Sequence, residues 1–308
     1  MDLYRRLDPM MHTSRTVWPL AAALAVLVAC GGGESGQQDT LNVPDSADSA
    51  AQAERMRKTR NIFYNIPSPM ETAALLKKAG AEYDKDILND VKNVDRYTAA
   101  SKQALNLGIY GADLSYASVN NQTQESMFYT SCAKKLADRL GVSNAFNDTT
   151  LERMEANMND RDSLLSIISE TYWSVDAYLK ENERDNISAL MIAGGWVEGL
   201  YIATQVARAK DTPELRSRIA EQRLSLNDLL GLMDTYTGTD EALNGAKADL
   251  KALSDLFGPV PSAGAPAQVT QENGVAVIGG GEPAAALTDD QLKAITEKTA
   301  TIRNAYIN

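Results

Sequence analysis

The chain has 308 residues, 44% of them hydrophobic and 23% charged, with a formal net charge of −11. That balance fits a globular protein of one large or two small domains, and it excludes wholesale disorder and the basic surface that nonspecific nucleic-acid binding needs. One histidine, His12, and two cysteines exclude a disulfide framework and a Cys₄ zinc site.

Arg5, Arg6 and Arg15 precede Trp18-Pro19 and an uncharged apolar run from Leu20 to Ala29. The run is shorter than the roughly 20 residues that span a bilayer, and it suits the h-region of a secretory signal. It ends in Leu27-Val28-Ala29-Cys30-Gly31, which resembles the lipobox of bacterial lipoproteins. That resemblance implies cleavage before Cys30, acyl chains on its sulfur and amine, and stable anchoring through two or more chains. Translation from Met10 or Met11 would give a more typical signal length. The expected mature chain loses His12, and with it any histidine base or ligand. Losing Arg5, Arg6 and Arg15 against Asp2 and Asp8 leaves a net charge of −12, and Cys132 is then the remaining thiol.

Residues 30–55 are small and polar and read as a tether. A helical domain is expected over 56–257, with helices near 69–80, 98–119, 122–140, 150–158, 161–183, 187–209, 213–236 and 240–257. Start signals are Ser68-Pro69-Met70-Glu71, Thr149-Thr150-Leu151-Glu152, Asp211-Thr212-Pro213-Glu214 and Thr239. Gly80, Gly141 and Gly258 stand where C′ glycines belong. Residues 258–287 contain ten Gly or Pro and no Lys or Arg, so they read as a linker, with a short extended piece at Val275–Ile278. A last helix, 288–306, opens with Thr288 and Gln291. It lines up Leu292, Ile295, Thr299, Ile302 and Ile307, either to dock on the bundle or to serve a partner. The fold class is therefore all-α: a bundle or array of about eight helices, with a C-terminal helix on a linker.

Two helices are apolar on every face. Ala104–Ser118 carries one charge, Asp113, and Ile187–Ala207 carries one, Glu198. A helix of this kind is buried or spans a membrane; the charged neighbours favour a core role. Their interior glycines, Gly108, Gly111, Gly194, Gly195 and Gly199, each cost about 1 kcal/mol against alanine and need compensation, most simply by close helix approach. Aligned at an offset of 85, the segments pair Ala104 with Ala189, Tyr116 with Tyr201 and Asp113 with Glu198. One reading is an internal duplication into two three-helix units.

The stretches IPSPMETAALLKKAGAEYD, LNLGIYGADLSYAS, NDRDSLL and NISALMIAGGWVEGLYIATQ resemble a family of uncharacterised helical lipoproteins or secreted proteins of Bacteroidota, over roughly residues 62–257. The resemblance implies an envelope location and a helical fold, and no activity.

Candidate chemistry is sparse. Ser131-Cys132-Ala133-Lys134 has the S-x-x-K form of serine acyl-enzymes but lacks their companion motifs. Asn159-Asp160-Arg161-Asp162-Ser163 lacks the glycine and glutamate of a calcium loop and reads as a helix start. Asp113 and Glu198 are the stronger pair. Burying a carboxylate is costly unless it is hydrogen-bonded, so each needs a partner: a helix N-terminus, a tyrosine, or an arginine such as Arg161. A polar pocket lined by Tyr110, Tyr116, Trp196 and Tyr201 would suit a hard cation or a small polar ligand. The expected function is a non-catalytic, lipid-anchored envelope module that binds a protein partner and uses no cofactor. Its expected place is the outer membrane, at the periplasmic face or cell surface. The alternative is a cation- or small-molecule-binding lipoprotein.

Overall fold

The computed structural model describes Glu54, Arg57, residues 83–144, 146–236, 240–258, 269–272, 275–278 and 287–308. The expected signal, most of the tether, the 69–80 helix with its Ser68 and Gly80 signals, and Thr239 lie outside the described residues. Glu54 and Arg57 are helical.

The fold is an all-α array. Two short 3-10 turns, Lys85–Ile87 and Val91–Arg96, lead into α1, Ala100–Val119. Then follow α2 (Thr123–Arg139), α3 (Asp148–Ala156), α4 (Arg161–Glu181), α5 (Asp185–Ala209), α6 (Pro213–Met233), α7 (Glu241–Phe257) and α8 (Asp289–Ile307). A hairpin precedes α8: Val269–Glu272 pairs antiparallel with Val275–Ile278. The expected extended piece is therefore one strand of a pair.

Capping chemistry explains the boundaries. Thr212 accepts from the Leu215 amide at 3.2 Å, with Pro213 in the first turn. Thr288 and Gln291 form a reciprocal capping box. Two capping residues differ from expectation. Helix α3 begins earlier because Asn147 accepts from the Thr150 amide at 3.0 Å, which outcompetes the Thr149 box. Helix α7 is capped by Asp240, which accepts from the Leu243 amide at 3.0 Å.

Helices α1, α2 and α4 each end in a Schellman motif; α1 ends at Val119 as expected, and α2 and α4 stop short of the expected ends. After α2, Val142 donates to Ala137 O at 2.9 Å and Gly141 to Asp138 O at 3.0 Å, with Gly141 at φ 71°. After α1 the left-handed residue is Asn121, and after α4 it is Glu183, at φ 57°. A left-handed glutamate is strained by roughly 1–2 kcal/mol. Glu183→Gly should therefore raise stability by about 1 kcal/mol in urea denaturation, whereas the same change at a right-handed exposed helix position would lower it.

The packing centre is α1 against α5. In α1 every residue from Gln103 to Val119 is buried, and α5 is buried along most of Ile187–Ala207. Helix α5 is long and apolar enough to cross a membrane by length and composition, and it lies packed inside the array against α1, α4, α6, α7 and α8. The outer helices bury one stripe each. Helix α7 uses Leu243, Ala246, Leu250, Leu253 and Phe257, a strict alternation of three- and four-residue steps. Helix α8 docks on α5, α7 and α1 through Ile295, Thr299, Ile302, Arg303, Tyr306 and Ile307, which settles the open question of its apolar face.

The glycines explain how α1 and α5 meet. A Cβ on Gly194 would overlap the Leu105 carbonyl, and one on Gly108 would overlap the Met191 carbonyl. Gly195 also faces Gly108. Gly108 lies against both Met191 and Gly195, and Asp113, five residues on, meets Glu198, beyond Gly195; an antiparallel pair would carry these acids apart, so the two helices run in the same direction. Gly111 has a different role: it makes room for the Tyr172 ring, whose hydroxyl donates to Leu107 O.

Candidate functional site

The two sequence-singled acids come together. Asp113 on α1 and Glu198 on α5 are both fully buried, 0% exposed, and near enough for Glu198 to act directly on the Asp113 carboxyl. The offset-85 alignment places them at equivalent positions, and parallel packing of the two helices brings equivalents face to face.

Their cation is Arg303, from α8. Its Nε donates to Glu198 Oε2 at 3.0 Å and its Nη2 to Oε1 at 3.0 Å, a two-pronged geometry that only a guanidinium offers. Nη2 also donates to Ile87 O at 3.1 Å. The guanidinium carbon sits 4.6 Å from the centre of the Tyr201 ring, a favourable cation–π placement. Asp113 Oδ2 accepts from the Asn89 amide at 3.2 Å. Burial, then the negative charge of Glu198, push the Asp113 carboxyl well above its ordinary range; Arg303 opposes this.

A second polar layer surrounds the acids. Asn89 Nδ2 donates to the Tyr97 hydroxyl at 3.0 Å, and that hydroxyl donates to Ile307 O at 3.3 Å. Asn106 Nδ2 donates to Tyr306 O at 3.0 Å and Lys102 Nζ to Ala305 O at 2.6 Å. The last turn of any α-helix leaves carbonyls without intrahelical partners. Here α1 and the segment before it satisfy those of α8, so the acid cluster and the helix end are held from the same side.

The other expected pocket residues divide. Tyr201 is in the cluster, beneath Arg303. Tyr110 and Tyr116 belong to an adjoining aromatic group. Tyr110 packs between Tyr97 and Tyr129 and donates to Asp90 O at 2.9 Å, while Tyr116 lies 5.3 Å from Tyr83, ring centre to ring centre. Trp196 points elsewhere: its Nε1 donates to Ser225 Oγ on α6 at 2.9 Å. Arg161 is exposed and pairs with its neighbour Asp162. A cavity of about 20 Å³ lies apart from the acids, walled by Leu107, Leu114, Met154, Ile168, Val175 and Met191. It is apolar, and such a void stays dry.

The remaining motifs resolve locally. Ser131 donates to Met127 O at 3.0 Å, and Lys134 pairs with Asp138, so the S-x-x-K residues face different partners. Cys132 is buried, its thiol pushed up to about 12 by burial and then by Asp113. Asp160 caps α4 through the Ser163 amide at 3.1 Å, as a helix start should. Among the described residues no group of three or more His, Cys, Asp or Glu is arranged to hold a metal.

Sequence reasoning missed two sets of buried polar residues. Arg303 and Asn89 are one set. The other is a separate buried pair, Lys180 Nζ to Asp176 Oδ2 at 2.7 Å, with Ser188 Oγ donating to the other carboxylate oxygen. Both charged residues are about 4% exposed. The i,i+4 spacing of Asp176 and Lys180 was a readable signal for a pair, but not for its burial. Compared with known proteins, the chain matches no family model, no curated protein and no solved structure.

Proposed function

We propose that this protein is a non-catalytic module of a bacterial cell envelope, held to its membrane by lipid on Cys30 and presenting a rigid helical array to a protein partner. The observation that carries the non-catalytic part is the internal use of the acids. Glu198 spends both oxygens on Arg303, and the guanidinium occupies the place a bound cation would take. The cluster thus serves to fix α8 on the array. The alternative, a cation or small-ligand site at Asp113 and Glu198, has less support for the same reason.

The anchoring part rests on Leu27-Val28-Ala29-Cys30 behind a basic segment and an apolar run. Two acyl chains give stable membrane attachment, and one gives marginal attachment. Cys30→Ser should move the protein from the membrane fraction to the soluble fraction, read by fractionation and by mass of the N-terminal peptide. Unchanged membrane partitioning of the substituted protein would rule the anchor out. Affinity capture from intact envelopes with native mass spectrometry separates the two functional readings: a retained protein partner supports the module, and a retained ion or small molecule supports the pocket.

A further inference from the structure

We propose that Asp113 and Glu198 form a buried proton-binding site, in which one proton shared between the two carboxyl groups is the latch that lets Arg303 seat the C-terminal helix. Among the described residues, Asp113 Oδ1 is buried and receives no donor, while Oδ2 has the Asn89 amide. Arg303 directs its Nε and Nη2 to Glu198 and to Ile87 O, not to Asp113. An ionised carboxylate only accepts hydrogen bonds, and two ionised carboxylates in contact repel. A carboxylic acid at Asp113 resolves both problems, because its O–H donates to Glu198. Counting charge gives the same answer. Two carboxylates against one guanidinium leave an uncompensated negative charge at zero exposure, whereas one added proton makes the cluster neutral.

Among the described residues, the surroundings supply no other charge balance. Close enough to interact with the pair are Tyr110 from α1, Tyr201 from α5, Tyr129 and Cys132 from α2, Tyr172 from α4, Arg303 from α8, and Tyr83 and Asn89 from the leading segment. Burial raises the phenols and the thiol, so they stay neutral near pH 7.

The sign of the pH effect follows. The folded protein holds this proton more tightly than the unfolded chain, where Asp113 has its ordinary acidity near 3.8. The stabilisation is complete below that value and is lost as pH rises through the folded value. Across the interval the unfolding constant should rise about tenfold per pH unit from this one group. Asp249, raised by burial, acts in the same direction and is common to the wild type and any Asp113 variant, whereas several other carboxylates act oppositely. Asp95, Asp138, Asp160, Asp211 and Asp240 are held below their ordinary range, so their contribution is lost in acid. The effect is therefore read above about pH 5, where those groups are ionised in both states.

The test compares the full chain with Asp113→Asn, whose amide donates to Glu198 without titrating. Urea denaturation from about pH 5 to 8 should show the wild-type unfolding constant gaining up to tenfold per pH unit relative to the variant; parallel curves would overturn the proposal. Hydrogen exchange of α8 amides, compared between the two proteins at each pH, should show wild-type protection falling with pH while that of α2 holds. Equal α8 protection at every pH would remove the latch. If the variant does not fold, infrared spectroscopy of the wild type still decides. A protonated carboxylic acid band should be present at neutral pH and vanish on alkalinisation, and its absence at neutral pH refutes the site.

Discussion

Arg303→Met should destabilise the folded protein by about 3–5 kcal/mol, enough to unfold a large share of a marginally stable domain. The guanidinium is 6% exposed and neutralises Glu198, which is 0% exposed. Methionine fills similar space on α8 but leaves that carboxylate without a cation, and stranding a buried charge is the expensive outcome. The loss also falls on α8 in particular, because Arg303 ties that helix to α5 and, through Ile87 O, to the leading segment. Urea denaturation of Arg303→Met, Glu198→Gln and the double variant gives the coupling. The double variant should recover a large part of the single loss, since a neutral pair costs far less to bury than a lone charge. Additive losses would mean that Arg303 acts by packing over Tyr201, not by neutralising Glu198.

The fold was legible because most of its devices are local. Thr288 with Gln291, Pro213 after Thr212, and the 3,4-spaced stripe of α7 each declare themselves within a few residues. The errors are local too. Asn147 and Thr149 both offer side-chain oxygens, and only the tertiary path decides which caps α3. Glu183 adopts a left-handed conformation that nothing in its chemistry announces. The candidate site was half legible. A single charge on a helix apolar in every direction implies burial and a partner, so Asp113 and Glu198 could be named. The partner could not, because Arg303 is 105 residues from Glu198 on a helix beyond a Gly- and Pro-rich segment. Its position in the stripe Thr299, Ile302, Arg303, Tyr306 was the one available hint: an arginine in line with apolar residues on a docking face. Trp196 shows the converse. It lies two residues from Glu198, and a helical step of 100° per residue turns it toward α6.

Gly194→Ala and Gly108→Ala should each cost about 3 kcal/mol or more, against the roughly 1 kcal/mol that alanine gains over glycine in a helix interior. The reason is what the new methyl group would meet. At Gly194 it overlaps the Leu105 carbonyl, and at Gly108 the Met191 carbonyl, both backbone atoms of the opposing helix. A side chain could rotate away, but a helical carbonyl moves only with its helix. Relief therefore requires α1 and α5 to separate, which loosens the buried interface along both and pulls Asp113 from Glu198. Gly199 on the same helix has no atom within 4 Å of its would-be Cβ, so Gly199→Ala should stabilise by about 1 kcal/mol. Gly195 lies between, with its nearest neighbour, the Gly108 carbonyl, at 3.3 Å, and should be close to neutral. Thermal or urea denaturation of the four variants would show the order directly. A uniform response across Gly194, Gly195 and Gly199 would mean that these glycines tune helix propensity alone. The expected split, with opposite signs at two positions five residues apart, is the signature of backbone contact between α1 and α5, the contact that also holds the two acids within reach of one proton.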